Sequence, residues 1–474
     1  MRKILTITFA LVLAGFAAIA VFIYPAVRDT GLQATGYVAK NICSGHFVSG
    51  LAPERVVEEA LRPIDETLAS TEYIVDEDAR AVDVAIYGLF ERRAIHLPEL
   101  GCVLIAPGEE TVGFDLSPRE QGRRSSEPWP IGEGPVNQGM AGVDYDALNA
   151  AIDDAFADPD PAFPRNTNAV VVIRRGELIA ERYDEGITLN TPLISWSMAK
   201  SVTNAQLGIL HGSEDLPLFG SIPVPEWQGA DDPRAAITVD QMLRMSSGLE
   251  FDETYAVGTD VTRMLSLEPS AGRFAAAKPL AHEPGEVWAY SSGTSNILAQ
   301  VVRETVGGAP QDHYDFAQDN LFGPIGARSF RLETDASGTH IGSSYIYATA
   351  RDWARLGQLY LEDGMWNGVS ILPQGWVDYS RTPTTNNPYR NYGAHFWLNC
   401  DPVPGTPPDQ TFPAPMWPDA PRDAYSMNGF QGQHVVIIPS RDLVIVRLGF
   451  ATRYLESGVN DLIAGVIAAT EGAE

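Results

Sequence analysis

Two pairs of strand-like segments, far apart in the chain, constrain its fold more than any other feature. The first pair is Ala169–Ile173 and Leu178–Tyr183, joined by a short turn. The second pair, His434–Ile438 and Leu443–Leu448, is rich in β-branched residues and is followed by a helical pattern over Leu455–Thr470. Mostly helical material lies between the pairs. This order predicts an α/β (α+β) architecture, in which strands from both ends of one domain form a central antiparallel sheet flanked by helices.

The helices between the strand pairs are visible from their apolar spacing and from the glycines that end some of them. They are Ser197–His211, Val239–Met245, Ser295–Val306 and Ala350–Glu362. They predict a helical subdomain beside the sheet. The irregular stretch Asp401–Pro421 has eight prolines in 21 residues. Long loops within compact domains are often functional, so we expect this loop to border a site.

A stretch rich in Pro, Gly, Ser and Arg, residues 117–135, predicts a boundary before the main domain. We therefore expect residues 1–28 to be a membrane anchor or signal segment, 29–130 to be an accessory segment and linker, and 131–474 to be the main domain. Within the accessory segment, helical and strand-like stretches alternate, such as Pro53–Leu68 and Ala81–Ile86.

The N-terminus predicts export. Arg2 and Lys3 precede the apolar run Ile4–Tyr24, which would be about 30 Å long as a helix, enough to cross a bilayer. Basic residues before such a run favour a cytoplasmic N-terminus with the remaining chain on the far side. Ala18-Ile19-Ala20 is a candidate cleavage signature, but the run continues through Ile23, which favours an uncleaved inner-membrane anchor facing the periplasm. Cleavage would leave a periplasmic protein.

Three cysteines fit an exported chain. Cys43 and Cys102 both precede the main domain, and such a pair usually oxidises outside the cytoplasm. We expect a disulfide between them, with two buried free thiols as the alternative. Cys400 is left over as a small apolar residue.

The charge of the chain excludes one class of partner. The formal net charge is −28, and so acidic a surface repels phosphate backbones, which argues against nucleic-acid binding. Basic residues are lopsided as well, because the chain has only four lysines among its 33 Lys and Arg. Where a lysine is nevertheless present, its amine is a candidate for a chemical role.

Ser197 and Lys200 form the strongest candidate for chemistry. They lie three residues apart near the start of a predicted helix, with Ser195 as its expected N-cap, so the two side chains share one helix face. A lysine amine whose pKa is lowered by burial can remove the proton of a serine hydroxyl and activate it as a nucleophile. The alternative is a pair on a solvated helix face, against which the apolar flanks Leu193, Val202 and Leu207 argue.

The segment around this pair, TPLISWSMAKSV at Thr191–Val202, resembles the nucleophile segment of the serine β-lactamase and penicillin-binding-protein superfamily. Further segments resemble that superfamily in the same order: Ile237–Phe251, His282–Leu298, Tyr347–Gly368 and Met427–Pro439. The closest likeness is to the class C-like branch, which includes esterases and 6-aminohexanoate-oligomer hydrolases. The resemblance implies a β-lactamase/transpeptidase-like fold from about residue 165 to 460.

The resemblance also implies roles for particular residues. Ser197 matches the acylated nucleophile, Lys200 its proton partner, and Tyr290 the tyrosine that moves a proton between nucleophile and leaving group. The alternative for Tyr290 is a core aromatic residue whose hydroxyl has one partner. Ser292 stands where the family pattern has asparagine, with a shorter reach toward Lys200 or substrate.

The third motif is where this chain departs most from the family pattern. β-Lactamases have Lys-Thr-Gly there, whereas this chain has Gly429-Phe430-Gln431-Gly432-Gln433, which has no cation for a substrate carboxylate. A backbone N–H from Phe430, Gln431 or Gly432 can still complete an oxyanion hole with the N–H of Ser197. For the two glycines of the motif, close approach of substrate and a tight turn are equally good explanations.

These observations predict an exported serine hydrolase that cleaves small amides or esters through an acyl-enzyme on Ser197. The alternatives are β-lactamase or D,D-peptidase activity in the same site, and a catalytically silent cell-envelope binding protein on the same fold. No metal or organic cofactor is implied, and the oligomeric state is left open. The expected partners are a small amide or ester substrate and, through the N-terminal helix, a membrane.

Overall fold

The computed structural model describes residues 24–114, 116–117, 119, 125–229, 231–409 and 411–471. The apolar run predicted as an anchor, Ile4–Tyr24, therefore lies outside the described residues except for Tyr24. Among the helices within those described ranges, none is both long and apolar enough to cross a bilayer.

The strands, in chain order, are β1 Glu72–Asp76, β2 Ala81–Ile86, β3 Leu89–Leu97, β4 Gly101–Leu104, β5 Thr167–Arg174, β6 Glu177–Tyr183, β7 Leu193–Ile194, β8 Arg331–Leu332, β9 Ile346–Ala348, β10 Met365–Trp366, β11 Val369–Ser370, β12 Trp397–Leu398, β13 Tyr425–Gly429, β14 Gln433–Ile438 and β15 Leu443–Gly449.

The α-helices are α1 Tyr24–Phe47, α2 Pro53–Val56, α3 Glu66–Ala69, α4 Tyr145–Phe156, α5 Ala199–Gly212, α6 Val239–Leu243, α7 Asp260–Ser266, α8 Ala271–Ala276, α9 Ser292–Thr305, α10 Pro310–Ala317, α11 Ala350–Leu361, α12 Trp376–Ser380 and α13 Val459–Thr470.

The central sheet joins the two ends of the main domain, as the strand pairs predict. Its strand order is β12-β13-β14-β15-β5-β6, and neighbouring strands run antiparallel. The pairing of β15 with β5 places Val446 opposite Val171, which closes the C-terminal strands onto the N-terminal pair. The predicted fold class is confirmed.

The two faces of the sheet bury different helices because successive strand residues point to opposite sides. On one face, Val170 and Ile445 pack with Leu148 of α4 and Ile463 of α13. On the other face, Val171 belongs to the larger core, which includes α5 and α11. The nucleophile candidate is thus held by a helix that is itself buried against the sheet.

The accessory region has its own small fold but shares the larger core. Helix α1 packs against the four-stranded sheet β1-β2-β3-β4. The structure joins Cys43 of α1 to Cys102 of β4 in a disulfide, with the Cα atoms 6.1 Å apart. Buried residues of α1 and of the main domain belong to one continuous hydrophobic cluster. The domain boundary near residue 130 stays a prediction.

For three of the predicted helices, a local feature explains why the bounds in the structure differ from the predicted ones. The helical stretch predicted at Pro53–Leu68 is interrupted after residue 61, because Pro63 cannot continue a helix and Asp65 starts a new one by accepting the Thr67 N–H at 2.6 Å. The helix predicted at Val239–Met245 ends at Leu243, shortly before Met245, which has a positive φ of 57°. The last helix begins only after Gly458, whose φ of 78° is left-handed.

Candidate active site

Ser197 lies in a short 3-10 turn, Trp196–Met198, that leads directly into α5. Trp196 has a positive φ of 45°, so the backbone bends sharply just before the serine, a strain that is typical of functional sites. Ser195 stands at the N-cap position, as predicted, but its side chain makes no capping hydrogen bond. Its Oγ donates to the Trp196 carbonyl at 2.8 Å and accepts from the Ile346 N–H at 3.1 Å, because β9 lies beside the turn.

Lys200 points back along the helix to Ser197. Its side chain is only 1% exposed, and its Nζ lies 3.1 Å from Ser197 Oγ, 3.1 Å from Ser292 Oγ and 3.3 Å from the Ser343 carbonyl. Burial lowers the pKa of Lys200 to about 8, although the nearby Glu253 carboxylate raises it. A substantial fraction of the amine is therefore neutral near pH 8, which a proton acceptor for Ser197 requires.

The second segment supplies Tyr290 and Ser292 from the start of α9. Ser291 caps this helix by accepting the Thr294 N–H at 3.2 Å, and Ser292 is its first residue. The Nζ of Lys200 lies 4.7 Å from the centroid of the Tyr290 ring, so the ammonium faces the aromatic surface. The structure thus brings Ser197, Lys200, Tyr290 and Ser292 together.

Glu253 is a member of the site that the sequence did not reveal. One of its oxygens, Oε2, accepts the Ser292 N–H at 2.7 Å, and Oε1 lies 2.6 Å from Ser292 Oγ. Burial raises the pKa of the Glu253 carboxyl, whereas Lys200 and the hydrogen bonds from Ser292 lower it. Glu253 lies in an irregular stretch after β-bridge residue Leu249, where no periodicity marks it.

The third segment passes beside the nucleophile turn, but its side chains point in different directions. A Cβ added to Gly429 would lie 2.1 Å from the Ser195 carbonyl oxygen, so only glycine permits this close backbone approach. The Gln431 side chain points away from the cleft, since its Oε1 accepts from Trp196 Nε1 at 3.2 Å and its Nε2 donates to the Ala60 carbonyl at 3.3 Å.

The two remaining residues of this segment differ in exposure. Phe430 is 43% exposed, and its ring lies 5.9 Å from that of Trp196. Gly432 is buried with a φ of 81°, and its carbonyl accepts from Arg447 at 2.7 Å. Gly432 thus occupies the tight turn into β14, and a contribution of this segment to an oxyanion hole would come from the backbone.

Aromatic side chains from distant parts of the chain surround the nucleophile turn. Tyr37 of α1 stacks on Trp196 with centroids 6.3 Å apart, and Tyr345 lies 5.4 Å from the same ring. Tyr255 stacks parallel to Phe430 at 6.2 Å. The accessory region therefore supplies part of the wall behind the site, a function that its sequence did not indicate.

The proline-rich loop at residues 401–421 does border this site. Phe412 lies 5.9 Å from the Tyr290 ring, and Trp397 of β12 lies 5.3 Å from it. These contacts fix the plane of the tyrosine. Within the part of the chain that the structure describes, no group of three or more His, Cys, Asp or Glu side chains is arranged to hold a metal ion.

Comparison with known proteins agrees with the fold. The family model described as Beta-lactamase matches residues 164–461, which is more than half of the chain. The chain therefore belongs to the beta-lactamase family, and the predicted resemblance is confirmed. It is a serine hydrolase of that family.

Individual relatives are distant. The chain is 24% identical over 310 residues to the 6-aminohexanoate-dimer hydrolase of Paenarthrobacter ureafaciens, a match that covers 60% of this chain and 72% of the relative. A solved structure from Bacillus anthracis, assigned to the 6-aminohexanoate-dimer hydrolases, has a TM-score of 0.53 at 21% identity and covers 68% of this chain and 80% of that chain. EstCE1, a hydrolase with promiscuous acyltransferase activity, has a TM-score of 0.53 at 15% identity, with 69% and 98% covered. The two solved structures show the shared fold.

Proposed function

We propose that this protein hydrolyses small, neutral amides or esters by a double displacement through an acyl-enzyme on Ser197. The observation that supports this most directly is the buried Lys200 amine, 3.1 Å from Ser197 Oγ and 1% exposed. A hydroxyl next to a base of lowered pKa is an activated nucleophile.

In the acylation step, neutral Lys200 takes the proton of Ser197 as the Oγ attacks the substrate carbonyl carbon. The resulting oxyanion accepts hydrogen bonds from backbone N–H groups of Ser197 and of the segment from Phe430 to Gln433. The proton then passes from Lys200, with Tyr290 as the relay, to the leaving nitrogen or oxygen as its bond to carbon breaks. Water next attacks the ester, and the reverse proton movements release Ser197 and a carboxylic acid.

The surroundings of the nucleophile favour neutral substrates. The segment Gly429–Gln433 lacks a cationic side chain, so a carboxylate beside the scissile bond gains no ion pair there. The exposed rings of Phe430 and Tyr255, 43% and 53% exposed, offer apolar surface instead. β-Lactamase or D,D-peptidase activity in the same site is the second candidate, and the missing cation disfavours it.

Mass spectrometry after labelling tests this proposal. We expect a fluorophosphonate to add to Ser197 in the natural protein and not in Ser197→Ala. A panel of p-nitrophenyl esters, nitrocefin and short amide oligomers then ranks the substrate classes, and faster turnover of nitrocefin than of the esters would favour the β-lactamase alternative. Protein that stays unmodified by both fluorophosphonate and labelled penicillin would instead support a catalytically silent cell-envelope binding protein.

We also propose that the enzyme acts outside the cytoplasm, anchored in the inner membrane through residues 1–28 or free in the periplasm if that segment is cleaved. Arg2 and Lys3 before the apolar run support this location, as does the disulfide between Cys43 and Cys102. Fusion of a periplasm-dependent reporter enzyme to the C-terminus should give an active reporter. An inactive reporter, together with two free thiols in non-reducing peptide mapping, would contradict export.

A further inference from the structure

The Ser292 side chain joins Lys200 to Glu253, a carboxylate that lies just outside the segments resembling the family. Lys200 Nζ donates to Ser292 Oγ at 3.1 Å, and Ser292 Oγ donates to Glu253 Oε1 at 2.6 Å. The serine hydroxyl has a single hydrogen, so it donates in one direction only, away from the lysine and toward the carboxylate. The hydroxyl thus stands between the two charges.

The hydrogen bonds also favour the ionised form of Glu253. Its second oxygen, Oε2, accepts the Ser292 backbone N–H at 2.7 Å, so both oxygens act as acceptors. The N–H and O–H of Ser292 thus stabilise the ionised carboxylate of Glu253 in either protonation state of Lys200.

We propose that Glu253 is a positioning residue for acylation: acting through the Ser292 hydroxyl, its carboxylate stabilises the ammonium that Lys200 becomes when it takes the proton of Ser197. This inference rests on the acyl-enzyme proposed above. In the step concerned, the Ser197 O–H bond breaks, the bond from Oγ to the substrate carbonyl carbon forms, and the proton ends on Nζ. A positive charge appears in a cleft with little water, where an unpaired ammonium is costly. The Glu253 carboxylate is in place before the proton moves.

Other ionisable groups around the pair do not supply that negative charge. Lys200 is faced by the Tyr290 ring and by His395, whose Nδ1 contacts the Lys200 carbonyl at 3.0 Å. Burial lowers the pKa of His395 to about 3, so it is neutral.

Tyrosines and one further acid face Glu253. Desolvation of their hydroxyl groups raises the pKa values of Tyr255 and Tyr392, so both phenols stay neutral, and Tyr255 also interacts with Ser292. Asp252 is exposed, and its Oδ1 accepts the Thr254 N–H at 2.9 Å. Its charge is in contact with solvent rather than with the lysine, so Glu253 is the anion that is coupled to Lys200.

The pH dependence of kcat/KM tests the inference, with Glu253→Gln as the main variant. Glutamine keeps the shape and can accept a hydrogen bond, but it removes the charge that holds the Lys200 pKa up. The acid limb of the profile, which reports the neutral amine, should move to lower pH by about one unit. The plateau rate should fall by about tenfold or more, because the ammonium formed in the step is less stable. Glu250→Gln is the matched control, since Glu250 is an exposed carboxylate three residues away, and its profile should equal that of the natural protein.

Ser292→Ala is a second variant in case Glu253→Gln does not fold. It removes the hydroxyl between the two charges and should move the acid limb in the same direction by a smaller amount. An acid limb at an unchanged pH in whichever variant is folded, as judged by circular dichroism, overturns the inference even if the rate drops. Absence of any Ser197 adduct in the natural protein is a different result, because it overturns the acyl-enzyme itself.

Discussion

Within the part of the chain that the structure describes, two lysines are buried, Lys40 in the accessory region and Lys200 in the main domain. Their surroundings use the same residue types. Their side chains are 2% and 1% exposed. Each Nζ lies over a tyrosine ring, at 4.9 Å from the centroid of Tyr345 and 4.7 Å from that of Tyr290. Each also has a glutamate and a serine nearby. The comparison therefore isolates the effect of arrangement from that of composition.

In the accessory region the charges are in direct contact. Lys40 Nζ forms an ion pair with Glu333 and donates to the Cys102 carbonyl. Glu333 further accepts from Ser44 Oγ at 2.8 Å and from the Cys102 N–H at 2.6 Å. Each charge is satisfied within the cluster, so this lysine ties α1 and β4 to the main domain.

In the active site the serine separates the charges. The Ser292 hydroxyl lies between Lys200 and Glu253, and a donor position of Lys200 is directed at Ser197. Burial lowers the pKa of both lysines, but only Lys200 has a hydroxyl that could become a nucleophile within hydrogen-bonding distance. A direct counter-ion makes a buried lysine structural, whereas a separated one leaves it able to accept a proton.

Lys200→Met should produce the largest effect. Methionine approximates the volume of the lysine side chain but cannot accept the proton. We therefore expect the rates of ester hydrolysis and of fluorophosphonate labelling of Ser197 to fall by about 10²- to 10⁴-fold. The melting temperature should fall less than in Lys40→Met, because Glu253 has no direct ion pair with Lys200 to lose and keeps both hydrogen bonds from Ser292. If Lys200→Met kept more than half of the labelling rate of the natural protein, Lys200 would not be the proton acceptor for Ser197.

Lys40→Met should have the opposite profile. It leaves the Glu333 carboxylate buried without its counter-ion, which is expected to lower the free energy of unfolding by about 3–5 kcal/mol. Urea unfolding measures this loss, and kcat/KM well below the melting temperature should be unchanged. The double variant Lys40→Met/Glu333→Gln should regain most of the stability. If Lys40→Met loses activity while still folded, the two lysines are not separate in function.

The pH profile of kcat/KM should depend on Lys200 and not on Lys40. Since burial lowers the pKa of Lys200 to about 8, the base is protonated below that pH, and kcat/KM should fall by about tenfold for each pH unit below it. Lys40→Met should keep this acid limb in place. An acid limb near pH 6 in both proteins would point to a different proton acceptor.

The sequence predicts the sheet well, because β-branched strands and short turns are local signals. The predicted strand Ala169–Ile173 is Thr167–Arg174 in the structure, and Leu443–Leu448 is Leu443–Gly449. Predicted helix ends are less accurate where a single residue determines the end, as Gly458 determines the start of the last helix. The nucleophile pair is also local, since Ser197 and Lys200 share one turn.

The rest of the site depends on contacts that no local pattern records. Glu253 is brought to Ser292 by an irregular stretch, and Tyr37 reaches Trp196 from the accessory region. The ion pair between Lys40 and Glu333 spans 293 positions. The scarcity of lysine is one signal for these positions, because two of the three lysines in the described ranges, Lys40 and Lys200, are buried and hydrogen-bonded to functional or structural partners.

Ser44 and Ser292, the serines beside the two lysines, should show the smallest effects. Ser44→Ala removes one donor to Glu333 but leaves Lys40 and the Cys102 N–H in place, so the free energy of unfolding should fall by only about 1–3 kcal/mol. The pH profile of kcat/KM should not move, since Ser44 has no path to Lys200. Ser292→Ala, compared under the same conditions, should shift the profile toward lower pH. An equal shift in both variants would mean that general destabilisation moves the profile, and the distinction between a direct and a separated counter-ion would then fail.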